Sequence, residues 1–381
     1  MTERNYAIQY TRGIAMLGVI GIHVGAYSLG FPNASIHLFA LLDIFTRFSV
    51  PIFFFLSAFG LFLNHDLTGQ FSYTDFLKRR FRAVLLPYTI WSIIYLVNYA
   101  LSTRTFWSLQ TLIETFFFGL ASYHLYFLVI LLWFYILMPL WRIMLRQIVK
   151  SPLPHLVFLL ILQIAFNYYS SYALHFQSDN YIVNLFIRYR LNYLVLHYLF
   201  IFILGAVAAL RFADFTAFIK KQRLTITTGF FASLGALLAN YYWLLANGLS
   251  ATEAAGIVHQ LNPLGVIYTL AASLFFFALL DGASGLTAAT LDIFGRYSYP
   301  VYLVHPLVLE YLARLIIKTN FPLTPPLVIA IFLAVILFSL SIAAIIKNIS
   351  QRFYLIGLLL TGSKKPRSTV KPTNIPHQVN A

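Results

Sequence analysis

Apolar residues in this chain run in long unbroken blocks instead of alternating with polar ones. Blocks of about twenty residues match the length a helix needs to cross a hydrocarbon core of about 30 Å. Ten such segments are predicted, at about 8–28, 46–64, 84–102, 124–145, 153–173, 191–211, 224–246, 263–281, 297–317 and 324–347. Tyr, Trp and Phe crowd many of their ends, as residues of an interfacial belt do. A membrane β-barrel would show short alternating segments, and these blocks are too long for that. The fold class is therefore an all-α polytopic membrane protein with about ten transmembrane helices. The apolar stretch 111–121 is too short to span and is expected to be re-entrant or to lie at the outer interface. The first block is long and no small-residue cleavage site follows it, so it is expected to be a retained span.

Composition supports the pattern. The chain is 60% hydrophobic and 10% charged, with a mean hydropathy of +0.79. Soluble domains carry about 25% charged residues, so too little polar surface exists to coat a water-soluble globule. The formal charge of +15 changes the picture only once the basic residues are placed on loops. One set of loops and termini takes 20 of the 26 Lys and Arg, among them Arg4, Arg12, Lys78, Arg79, Arg80, Arg82, Arg142, Arg146 and Lys150. The other set keeps six: Arg47, Arg104, Arg188, Arg190, Arg314 and Lys318. That split reads as topology, not as a nucleic-acid surface, and places both termini in the cytoplasm of a multi-pass cell-membrane protein. Residues 1–350 form one transmembrane domain. Residues 351–381 form a basic, Pro-containing tail, expected to be largely disordered and to touch anionic lipid. The chain has no cysteine, which excludes disulfides, thiolate nucleophiles and cysteine metal sites.

Candidate chemistry begins in the first span, where Arg12 and His23 stand eleven residues apart. At about 100° and 1.5 Å per residue, eleven residues return to nearly the same face, roughly 16 Å further along. Ionisable groups at membrane depth are costly and mark functional sites by default. A neutral imidazole can take a proton from an attacking hydroxyl and pass it to a leaving group. A guanidinium suits phosphate or pyrophosphate. Gly18, Gly21 and Gly25 flank His23 and allow another helix or a substrate to approach closely.

Further along, Phe76-Leu-Lys-Arg-Arg-Phe-Arg82 precedes Pro87, and Arg79 and Arg82 share a helix face. This cluster is either a phosphate-binding patch or a topogenic one. Ser57 follows Pro51 and an aromatic run, as on a broken or close-packed helix lining a cavity. His124 and Tyr126 open the fourth span, where they either shape an acceptor site or belong to the aromatic belt. Ser298, Tyr302 and His305 stand at i, i+4 and i+7 and form one polar stripe. Glu310 lies off that stripe and is expected to pair with Arg314. His197 is expected to be a satisfied core histidine. No phosphate-binding glycine loop, metal-ligand cluster or nucleophile elbow is present in the sequence, so no metal is expected.

These motifs, in this order, resemble the acyltransferase-3 family of integral membrane acyltransferases, from about residue 6 to residue 347. The pieces are Arg12-x10-His23, Pro51-Ile-Phe-Phe-Phe-Leu-Ser57, Arg79-x-x-Arg82, His124-Leu-Tyr-Phe127 and Ser298-x3-Tyr302-x2-His305. The resemblance implies transfer of an acyl group, usually acetyl, from cytoplasmic acyl-CoA to a carbohydrate hydroxyl across the membrane. It implies His23 as the catalytic residue, with Arg12, Arg79 and Arg82 binding the coenzyme of acetyl-CoA. Ser57, His124, Tyr126, Ser298, Tyr302 and His305 are expected to line the pore. The expected partners are acyl-CoA, a carbohydrate acceptor, the lipid bilayer and glycan-assembly proteins, with no nucleic acid. Two positions depart from the family pattern: Ala58 replaces a frequent glycine, and Tyr126 replaces a frequent tryptophan. The chain is also expected to lack the C-terminal extracytoplasmic domain of some relatives. The same polar residues at depth fit a polysaccharide or lipid-linked sugar exporter. Against the exporter stands the lack of repeat symmetry and of paired broken helices in the sequence.

Overall fold

The computed structural model describes residues 6–31, 35–63, 67–319 and 322–363. The expectations for Arg4 and for most of the basic tail lie outside these residues. Every regular element among the described residues is helical. The main helices are α1 (Tyr6–Ser28), α2 (Ile36–Phe62), α3 (Tyr73–Thr103), α4 (Leu109–Phe118), α5 (Tyr126–Ile136), α6 (Met138–Ile148), α7 (Pro152–Ala173), α8 (Val195–Leu210), α9 (Phe212–Lys221), α10 (Arg223–Ala246), α11 (Pro263–Leu280), α12 (Gly285–Thr319) and α13 (Pro325–Arg352). The stretch expected to be too short to span is α4, of ten residues.

Seven of the described helices are long and apolar enough to cross a membrane: α2, α3, α7, α10, α11, α12 and α13. Two bent pairs, α5 with α6 and α8 with α9, raise the count to nine if each pair is one span. The chain is thus a multi-pass membrane protein. The shortfall from ten falls on α1. At 23 residues it has the length, but Arg12, His23 and four glycines lower its hydropathy. The packing explains why such a helix is tolerated. α1 lies inside the bundle, most extensively against α12, with α2, α11 and α13 around it. A helix shielded from lipid by its neighbours does not need an apolar surface.

Small residues set the close crossings. A Cβ added to Gly18 would lie 1.9 Å from Ser49 Oγ, on α2. One added to Gly295 of α12 would lie 2.1 Å from the Gln9 carbonyl oxygen of α1. Membrane helices associate through this kind of backbone approach. The glycine edge of α1 is therefore taken up by helix packing, which leaves the Arg12 and His23 edge for the cavities.

The bent pairs correct the expectation that broken helices are absent. α5 and α6 meet at 69°, and α8 and α9 at 103°. At the first bend Pro139 supplies no N–H and its ring crowds the preceding turn. α6 then buries Met138, Trp141, Arg142, Leu145 and Ile148 along one side. Arg142 and Arg146, which the charge count treats only as topological cations, both donate to the Leu67 carbonyl, at 3.1 Å and 3.0 Å. They tie down the connection before α3.

Candidate active site

The site is assembled where α1, α3, α12 and the turn before α5 converge. His23 projects from α1 with its ring centroid 4.5 Å from that of Tyr123 and 5.3 Å from that of His305. His124 lies 5.4 Å from His305 and 4.9 Å from Tyr302. Three imidazoles, His23, His305 and His124, thus stand in a row. The row is framed by Tyr95, whose ring lies 5.3 Å from His124 and whose hydroxyl donates to the Leu303 carbonyl at 2.8 Å. The Tyr302 hydroxyl donates to the His124 carbonyl.

Two cavities flank this row. The larger, of about 470 Å³, lies toward the C-terminal end of α1. His23 lines it with Tyr27, Tyr95, Asn98, Tyr123 and Glu310. Asn98 Nδ2 donates to Glu310 Oε2 at 3.0 Å, and Arg314 forms an ion pair with the same carboxylate. The expected Glu310–Arg314 pair is therefore present, and the carboxylate also reaches a cavity. The smaller cavity, of about 180 Å³, lies toward the N-terminal end of α1. Arg12 lines it with Ser57, Ser298, Tyr299 and Tyr302. Among the described residues Arg12 has no ion-pair or hydrogen-bond partner. Its guanidinium Nη2 would lie 3.3 Å from a Cβ added at Gly60, so a side chain there would press on it. The Tyr299 hydroxyl is buried in the same region without a partner among the described residues. A half-buried cation amid hydroxyls, with no anion of its own, is a ready anion or carbonyl site.

Tyr302 borders the small cavity and His23 the large one. The layer between them is made of Tyr302, His124, His305 and Phe127, whose ring lies 5.6 Å from that of Tyr302. His305 is fully buried and His124 nearly so. Both therefore sit in the dividing layer and line neither cavity. Ser57, Ser298 and Tyr302 do line the small one. Tyr126 borders neither of these cavities and faces Tyr198. Arg79 and Arg82 are exposed on α3, outside the small cavity. Ala58 is fully buried. His197 is satisfied by Asn167 and Ser170, at 3.0 Å and 3.2 Å. Among the described residues no group of acidic and histidine side chains could hold a metal ion.

Sequence reasoning missed Tyr95, Asn98 and Tyr123. The first two sit on a helix that otherwise looks like an ordinary span. Tyr123 adjoins the motif histidine, and that adjacency was the one available signal.

The chain belongs to the acyltransferase-3 family: the family model, described as an acyltransferase domain, matches residues 5–344. No curated protein and no solved structure matches it significantly.

Proposed function

We propose that this membrane acyltransferase is an O-acyltransferase taking an acyl group, acetyl by preference, from acyl-CoA to a carbohydrate hydroxyl. The observation that carries the reading is the pairing of two cavities across one layer of aromatic and imidazole rings. Arg12 stands in one without a partner among the described residues, and His23 lines the other.

The large cavity falls within the range of about 300–1,000 Å³ usual for small-molecule sites. Its lining of phenol rings with a carboxylate and an amide suits a sugar, which needs apolar faces and hydroxyl partners together. The small cavity suits the thioester end of a pantetheine chain. Exposed Arg79 and Arg82 would meet the nucleotide phosphates outside it. The cation asymmetry of the loops supports a cytoplasmic location for that side, with α1 counted as a tenth span.

The chemistry is acyl exchange. His23 takes the proton of the acceptor hydroxyl as its oxygen attacks the thioester carbonyl. The C–O bond forms, the C–S bond breaks, and the proton passes to the departing sulfur. Whether the acyl group rests on His23 in between changes the order of these events but not their balance.

The exporter reading draws on the two bent helix pairs. Neither bend contributes a residue to the two cavities, whereas broken transporter helices converge on the substrate. The direct test uses purified protein in proteoliposomes given labelled acetyl-CoA and membrane glycan. Label on the glycan supports transfer. Sugar translocation independent of acyl-CoA would replace the reading with export.

A further inference from the structure

His305 is the residue of the site whose chemistry is fixed most tightly by its surroundings. It precedes Pro306, which lies inside α12. A helical proline has no N–H and cannot donate to the carbonyl four residues back, here Tyr302. That carbonyl is instead met by His305 Nδ1, at 2.8 Å. The same nitrogen lies 3.1 Å from the Val301 carbonyl. Carbonyl oxygens only accept, so Nδ1 carries the proton. In the neutral ring Nε2 is then a bare lone pair. It is buried and has no partner among the described residues. A His-Pro step in a helix thus sets the tautomer and leaves one acceptor facing inward.

The neighbour best placed to use that acceptor is His23. The two rings are neighbours but share no hydrogen bond in this structure, so a turn of the His23 ring is needed to bring one of its nitrogens to that lone pair. The observed spacing is 5.3 Å, with the ring planes 24° apart. His124, the other flanking ring, stands 5.4 Å away with an Nε2 that is likewise buried and without a partner among the described residues, but it lines neither cavity, whereas His23 lines the large one. No described side chain is bonded to either nitrogen of His23.

We propose that His305 is a positioning residue for His23. When the His23 ring turns toward it, the Nε2 lone pair accepts the N–H of His23, so that the other His23 nitrogen presents its lone pair to the large cavity. The arrangement parallels the buried carboxylate that orients the histidine of a hydrolase triad, with a neutral imidazole in its place. This inference rests on the acyl-transfer reading. In the reaction His305 keeps its own proton. The acceptor's proton moves to His23 and then to the coenzyme sulfur, and His305 accepts a hydrogen bond throughout.

The test separates the two nitrogens. In His305→Asn the amide N–H replaces Nδ1–H and keeps the helix bond, but nothing reaches the Nε2 position. In His305→Gln the amide oxygen takes the place of Nε2. The full-length variants are purified, checked for unchanged thermal unfolding, and assayed for acyl transfer from acetyl-CoA beside wild type and His23→Ala. The expected result is a fall in kcat of about 100-fold for Asn, the lower end of what proton-transfer groups supply, with KM for acetyl-CoA unchanged. Gln should retain more than a tenth of wild-type kcat. Wild-type kcat in Asn, or Gln no better than Asn, would overturn the positioning role while leaving the transfer reading intact. Absence of transfer by wild type would overturn the reading on which it rests.

Discussion

At the scale of single residues, the arginine of α1 is the sharpest donor-side feature. Arg12 lines the small cavity without a partner among the described residues. Its planar fork of donors cannot be copied by a lysine ammonium. Arg12→Lys should raise KM for acetyl-CoA about tenfold and Arg12→Ala more, as expected for loss of a charge-assisted hydrogen bond of about 1.5–3 kcal/mol. Steady-state kinetics on purified protein check this, and a KM unchanged in both would remove Arg12 from the donor site. The spacing of Arg12 and His23 makes this pair legible in the sequence, because helical geometry alone puts both on one face. The same is not true of Tyr95, Asn98 and Tyr123. They reach the site from a different helix and a turn, and apart from the adjacency of Tyr123 to the motif histidine nothing local in the sequence marks them. The motif residues His124 and His305 are legible as residues of interest. Their burial in the dividing layer is not, because a helical wheel gives a face but not what covers it.

At the scale of elements, the long apolar blocks translate well into helices, since in lipid only a helix or a closed barrel satisfies every backbone group. Block boundaries conceal two things. Pro139 turns an apolar block into the bent pair α5 and α6. The polar residues of α1 mark it as an interior helix, which only its packing against α12 reveals. Loops between helices carry their own stability terms. His259 lies just before α11 in a half-buried connection. Its Nδ1 accepts the Leu261 N–H at 3.1 Å, and its Nε2 lies 3.1 Å from the Tyr172 hydroxyl. That hydroxyl donates to the Ile257 carbonyl at 2.7 Å, so Nε2 of His259 is the protonated nitrogen. Burial, then the nearby Arg47 charge, hold His259 down at about 4, against an ordinary value of 6.5. The unfolded chain binds a proton below 6.5 that the folded chain refuses. Stability should therefore fall as pH drops from about 6.5 to about 4 and level off below, by at most about 1.4 kcal/mol per pH unit. Thermal unfolding in detergent across that window should show the slope, and His259→Gln should flatten it. An unchanged slope in the variant would assign the pH dependence elsewhere.

At the scale of the whole molecule, the bundle holds two cavities at opposite ends of α1. Rings from α12 and the turn before α5 separate them. In the proposed orientation, drawn from the charge asymmetry of the loops, the Arg12 cavity lies on the cytoplasmic side. In the proposed reaction the thioester and the hydroxyl meet at His23. The central claim is that His23 carries the chemistry. It is tested most directly by acyl transfer from labelled acetyl-CoA in inside-out membrane vesicles, comparing wild type with His23→Ala at matched expression. Label on membrane glycan is expected with wild type, and none above background with the variant. Equal label in both would contradict the claim.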